Sequence, residues 1–148
     1  MITGSCFCKK ISFEIKLPGI AMAICYCSRC RKAQTADFGT YFHTNLESFN
    51  WKKGKEEVHV FQPKEGDARP FCKTCGCRTP IIEEEDDHVI IPSGLLDGDP
   101  QLKPIAHLYV GSRAPWVEIK DDVAQFEEDA PKEFWFEILQ EFQSKKKK

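Results

Sequence analysis

The sequence has no apolar run long enough to cross a membrane, and Met1-Ile2-Thr3-Gly4-Ser5 lacks the basic and apolar regions of a secretory signal. It also has no dominant charge. Lys and Arg number 21 against 23 Asp and Glu, a formal net charge of −2, so no global basic field points to nucleic acid. These absences lead to the expectation of a cytoplasmic protein with neither nucleic acid nor membrane as partner. The 148 residues match one domain and suffice to bury a core. What the chain does have is eight cysteines. In a reducing compartment they point to metal ligation, and the length also argues against a disulfide scaffold.

Three of these thiols lie within six residues, Cys25-Tyr26-Cys27-Ser28-Arg29-Cys30. A CxC pair on an extended segment places both side chains on one face. The CxxC spacing that follows is the one by which a tight turn brings two sulfurs to one metal ion. The three together form one face of a tetrahedron and leave a fourth position to water, substrate or another ligand. Three protein ligands with an open position describe a catalytic zinc; four describe a structural one.

Along the chain, residues 11 to 16 alternate, with Ile11, Phe13 and Ile15 on one face of a half-buried strand. Pro18-Gly19 turns it, and Ile20 to Tyr26 runs as an apolar strand into the triad. A short helical turn is expected over 31–37. Further strands are expected over 38–43, 49–51 and 57–61, with a turn at Lys53-Gly54. Ile81-Ile82 and Val89 to Ile91 read as a hairpin around the acidic loop 83–87. Two more strands are expected over 107–110 and 116–119. Short strands with frequent Gly and Pro predict a mainly β domain. After Pro131, Trp135, Ile138, Leu139 and Phe142 fall at i, i+3, i+4 and i+7, so the last segment is expected as an amphipathic helix packed on the sheet. Lys145 to Lys148 are expected in solvent.

Two partitions of the cysteines are open. Cys27/Cys30 with Cys72/Cys75 would make a zinc ribbon, but over a gap longer than ribbons use and with Cys6, Cys8 and Cys25 stranded. Joining Cys6 and Cys8 to Cys72 and Cys75 closes a four-thiolate site and leaves the triad whole. Spacing favours the second partition. Gly76, just after Cys75, suits a knuckle turn in which backbone N–H groups point at the thiolates and the chain needs unusual dihedrals.

The strings GSCFC, ICYCSRCRKA, FCKTCG, LDGDP, HLYVGSRAPWVEI and VAQFE resemble the glutathione-dependent formaldehyde-activating enzyme family, which also includes centromere protein V. The likeness runs from Gly4 to Glu128. It implies a zinc-stabilised β-tent of several short antiparallel sheets, shared with a Rab-exchange zinc chaperone, over residues 1–130; the helix and lysine tail of residues 131–148 lie outside the resemblance and are expected packed on the same domain. It implies a structural zinc on Cys6, Cys8, Cys72 and Cys75 and a catalytic zinc on Cys25, Cys27 and Cys30. The implied reaction is carbon–sulfur lyase chemistry, joining the small-molecule thiol glutathione to formaldehyde as S-hydroxymethylglutathione. The chain departs from the family where many members carry Gly: Lys9 follows the first CxC, and Thr35 lies beyond the triad.

Arg29, Arg31 and Lys32 flank the triad and are candidates to meet glutathione carboxylates; solvated surface is the plain reading. Cys77 reads as a small buried thiol. His107 reads as a hydrogen-bonded structural residue before a catalytic base, with Arg113 in the same stretch. His43, His59 and His88 have no ligand-like spacing. Trp51, Trp116 and Trp135 are expected in the core. Two other classes remain alternatives: a non-catalytic zinc-stapled interaction module, and a thiol-based metal or redox handling protein.

Overall fold

A computed structural model describes all of residues 1–148. In chain order the elements are β1 (Ile2–Ser5), β2 (Ser12–Ile15), β3 (Ala21–Cys25), α1 (Ser28–Gln34), β4 (Gly39–Thr44), β5 (Phe49–Lys53), β6 (Val58–Phe61), β7 (Arg69–Cys72), β8 (Ile81–Glu83), β9 (His88–Pro92), β10 (Ala106–Leu108), β11 (Ala124–Gln125) and α2 (Lys132–Lys146). The protein is mainly β with a C-terminal helix, as expected. Its strands form a three-stranded sheet β1-β2-β5, a six-stranded sheet β11-β10-β3-β4-β9-β8 and the hairpin β6-β7. All pairs are antiparallel except β10, which lies parallel to β3 and to β11.

Strand alternation builds the core. Ile2 of β1 and Phe13 and Ile15 of β2 meet Met22 of β3, Phe42 of β4 and Val89 and Ile91 of β9, so the three-stranded sheet packs on one face of the six-stranded one. Successive side chains point to opposite faces. Ala21, Ala23 and Cys25, Tyr41 and His43, Ile90, and Leu108 therefore all line the other face of the large sheet. That second face carries the triad, and α2 lies over it. The helix is tied down mainly at its ends. Phe134 meets Phe126 edge to face, with ring centroids 5.2 Å apart, and Trp135 Nε1 donates to Asp129 at 3.2 Å. At the other end Phe142 is buried, and Lys146 Nζ reaches Glu47 at 2.9 Å. Lys146 is thus pinned where the sequence suggested solvent.

One expected strand is overturned. Residues 116–119 form a turn and extended loop, and Trp116, expected in the core, is 72% exposed with its indole N–H on Asp37 at 2.9 Å. Pro115 has no N–H to give a ladder. The Arg113 side chain also takes the Val117 carbonyl, at 3.0 Å, that a strand would need. The helical turn expected over 31–37 is α1, which begins earlier because Cys27 caps it.

Gly76 has φ +73°, as the knuckle requires. Lys9 and Thr35 also adopt left-handed backbone, at φ 61° and 52°, the region glycine enters without penalty. Thr35 ends α1 there, with its N–H bonded to Arg31 and Lys32 carbonyls. A β-branched residue in that conformation is strained, by about 1–2 kcal/mol. Thr35→Gly is therefore expected to stabilise the protein by about 1 kcal/mol, a rise in Tm of about 3 °C in a thermal melt. A fall in Tm would show that the Thr35 side chain stabilises the turn more than its backbone strains it.

Candidate metal centres and the cleft beside them

β1 delivers the chain directly into Cys6, and a tight turn follows. The Cys6 N–H bonds the Ile11 carbonyl at 3.1 Å, the Lys9 N–H the Cys6 carbonyl at 2.9 Å, and the Ile11 N–H donates to the Cys6 sulfur at 3.4 Å. β7 ends in Cys72, where a second turn is closed by Gly76 N–H to the Cys72 carbonyl at 2.8 Å. The two turns face each other and gather the sulfurs of Cys6, Cys8, Cys72 and Cys75 within 4.8 Å of one another. Cys6–Cys8 and Cys8–Cys72 sulfur separations are 3.6 and 3.8 Å. A tetrahedral zinc with Zn–S bonds of about 2.3 Å needs sulfurs about 3.8 Å apart, so this donor set fits zinc. Cys6 and Cys72 are buried against Ile11 in a small cluster of their own. All eight cysteines are free thiols.

The second cluster holds Cys25, Cys27 and Cys30, also within 4.8 Å of one another. Cys25 ends β3. Cys27 occupies the N-cap of α1, its sulfur accepting the Cys30 N–H at 3.3 Å, and Cys30 points inward from the first turn. The ribbon partition is therefore excluded: Cys27 and Cys30 group with Cys25, not with Cys72 and Cys75. Cys77 lies outside both clusters, and burial raises its thiol.

The triad is electrostatically graded. The Cys30 thiol is pulled down to about 5, first by its hydrogen bond with Cys25, then by those of Tyr41 and Cys27 and by the nearby Arg69 charge, against its burial. The same Cys30 bond, with burial, holds the Cys25 thiol far above its ordinary value. Burial also raises the Tyr41 phenol, which stays protonated and bonds Gln34 Nε2 at 3.3 Å. Sequence reasoning missed Arg69, Tyr41 and Gln34. Arg69 comes from β7, 39 positions past Cys30, and no local pattern marks it.

The flanking cations are placed as follows. Arg29 is exposed and 3.6 Å from Glu65. Arg31 is engaged inward, donating to the Tyr26 and Ser112 carbonyls at 3.3 Å each, which ties α1 to the loop after β10. Lys32 is exposed. His107 is buried, and both ring nitrogens are taken, by the Tyr26 hydroxyl at 2.8 Å and by Asp121 at 2.9 Å. With no free nitrogen it braces the strand that carries the triad rather than acting as a base. Arg113 holds its own loop. His43 bonds His88 at 2.9 Å, and His88 bonds Glu83 at 2.9 Å. Burial holds His43 down to about 3, so it is neutral at neutral pH.

Cys25 and Cys30 open onto a cleft of about 630 Å³ between the second face of the large sheet and α2. The triad thus presents sulfurs to a space that a small molecule can enter. No helix is long and apolar enough to cross a membrane.

A family model described as glutathione-dependent formaldehyde-activating enzyme matches residues 1–112. Among curated proteins there is no match. Among solved structures, the chain is similar to a Rhodobacter sphaeroides protein determined as a structural genomics target. Identity is 24%, the TM-score is 0.53, and the alignment covers 66% of this chain and 89% of that chain. That likeness is one of fold.

Proposed function

The chain belongs to the glutathione-dependent formaldehyde-activating enzyme family, and on that premise we propose that it is a cytoplasmic, zinc-dependent carbon–sulfur lyase or synthase that interconverts glutathione plus formaldehyde with S-hydroxymethylglutathione. The observation that carries this reading is the three-sulfur cluster of Cys25, Cys27 and Cys30, two of whose members line an open cleft. In this reading Cys6, Cys8, Cys72 and Cys75 hold a structural zinc, and the triad holds the catalytic one. Zinc held by the triad would supply the positive charge that keeps an entering thiol ionised at neutral pH.

The residues of the chain do the rest. Cys25 and Cys30 face the cleft, with Tyr41 packed beside both. Arg69 offsets the negative charge that three thiolates accumulate. Arg29 and Lys32 lie on the solvent side of α1, where they can meet glutathione carboxylates, while Arg31 holds α1 in place. In the synthetic direction the glutathione sulfur attacks the formaldehyde carbon. The S–C bond forms as the C=O π pair moves to oxygen, which takes up a proton. Positioning the two reactants is the main contribution, since thiols add to formaldehyde unaided.

Calorimetry on the zinc-loaded protein tests the reading. Glutathione is expected to bind at least tenfold more tightly than S-methylglutathione, whose sulfur cannot ionise, and its affinity should fall as salt screens the cationic contacts. Equal affinities would remove thiolate recognition and favour the interaction-module alternative.

A further inference from the structure

The cleft beside the triad is far larger than formaldehyde needs, and its lining has a chemistry of its own. A helix laid over a sheet ordinarily fills the interface with large side chains from both sides. Here the middle of the floor is Ala21 and Ala23, while the roof is Trp135, Ile138 and Leu139 of α2. The small side chains beneath the large ones leave the space open, and the end attachments of α2 hold the roof in place. Ile90 and Leu108 add apolar lining between Cys25 and Cys30 and the helix, with the rings of Tyr41, Tyr109, His43 and His88 also facing the cleft.

The charges along the lining are one-sided. Arg69 is the only Lys or Arg among the lining residues, and it belongs to the triad end; Asp67, Asp86, Asp87 and Asp129 supply four carboxylates. A tripeptide with two carboxylates does not fit an apolar trench edged with aspartates. Glutathione is better accommodated on the solvent side of α1, and the trench is left for the other reactant.

We propose that the cleft binds the uncharged apolar chain of an aldehyde larger than formaldehyde, so that the enzyme acts on glutathione thiohemiacetals bearing alkyl or aryl groups. This rests on the reading of the triad as the thiol site. The chemistry is unchanged and involves no redox step: the thiol sulfur bonds the aldehyde carbon, the π pair goes to oxygen, and the thiol proton ends on that oxygen. The substituent on the carbon then lies along Ala23 beneath Ile138 and Leu139.

S-methyl-, S-butyl- and S-hexylglutathione, titrated calorimetrically into the zinc-loaded protein, provide the test. Each added methylene buried in the cleft tightens binding about fourfold, the factor equivalent to about 0.8 kcal/mol, so the hexyl compound is expected to bind at least about a hundredfold better than the methyl one. Leu139→Asp, a change at a partly exposed helix position, should remove most of that gain while zinc content stays the same. Ala23→Leu, which fills the floor, should do likewise. Failure of the hexyl compound to bind more tightly, or to bind at all, overturns the inference. So does a gain that survives Leu139→Asp in a folded protein. The outcome is separable from the thiolate test: equal binding of glutathione and S-methylglutathione sinks the proposed function but leaves the chain-length slope, whereas a flat slope sinks only the cleft assignment.

Discussion

Cys72→Ser is expected to destabilise the protein by at least about 3 kcal/mol, a fall in Tm of about 10 °C, or to yield insoluble protein. Cys72 is completely buried, at the end of β7, and its sulfur is 3.8 Å from that of Cys8, 64 positions away. A metal held by Cys6, Cys8, Cys72 and Cys75 therefore closes a long loop and ties the start of the chain to the β6-β7 hairpin. Closing a loop of that length restricts the unfolded chain more than closing the six-residue triad, by about 2 kcal/mol from chain entropy alone. Metal binding adds to this because the preformed site exists only in the folded protein. A thermal melt with metal counting checks it. Unchanged Tm would mean that the four-thiolate site contributes nothing to folding.

Cys27→Ser is expected to behave in the opposite way. Cys27 is the least buried of the triad, and its site lies within one short segment. Zinc content should fall by about one ion and Tm should move by only a few degrees. Carbon–sulfur activity should drop by more than about a hundredfold, beyond the roughly 10–100-fold that losing a mere outer partner of a metal costs. A mild chelator should reproduce the mutant in the unmodified protein by taking the triad metal first. If Cys27→Ser and Cys72→Ser destabilise equally, the triad is structural and the enzyme reading goes with it.

The two mutants differ because one cluster is local and the other is not, and the same distinction governs how much could be read from residue order. The triad is written in six consecutive positions, so its spacing alone implied that three sulfurs converge. The strand over Ser12–Ile15 and the helix over Lys132–Lys146 were equally legible, because their periods of two and 3.6 residues are local properties of the backbone. The union of Cys6 and Cys8 with Cys72 and Cys75 was only favoured by spacing; it took the facing of two distant turns to exclude the ribbon.

Other features had no local signature. β11 is two residues long, and neither Ile-Thr-Gly-Ser in β1 nor Arg-Pro-Phe-Cys in β7 alternates apolar with polar residues, so none of the three shows a period. Residues 116–119 looked apolar enough for a strand, but Arg113 and Pro115 remove the backbone groups that a ladder would use. The sequence by itself determined that the Cys25, Cys27 and Cys30 sulfurs converge and that the class is mainly β, since both follow from short-range spacing. Tertiary structure alone decided that Arg69 lies beside Cys30, that His107 has both nitrogens taken, and that Ala21 and Ala23 lie under α2 to leave a cleft at the triad. The physical reason is that a charge, a hydrogen bond or a void between distant segments exists only once strand pairing has brought those segments together.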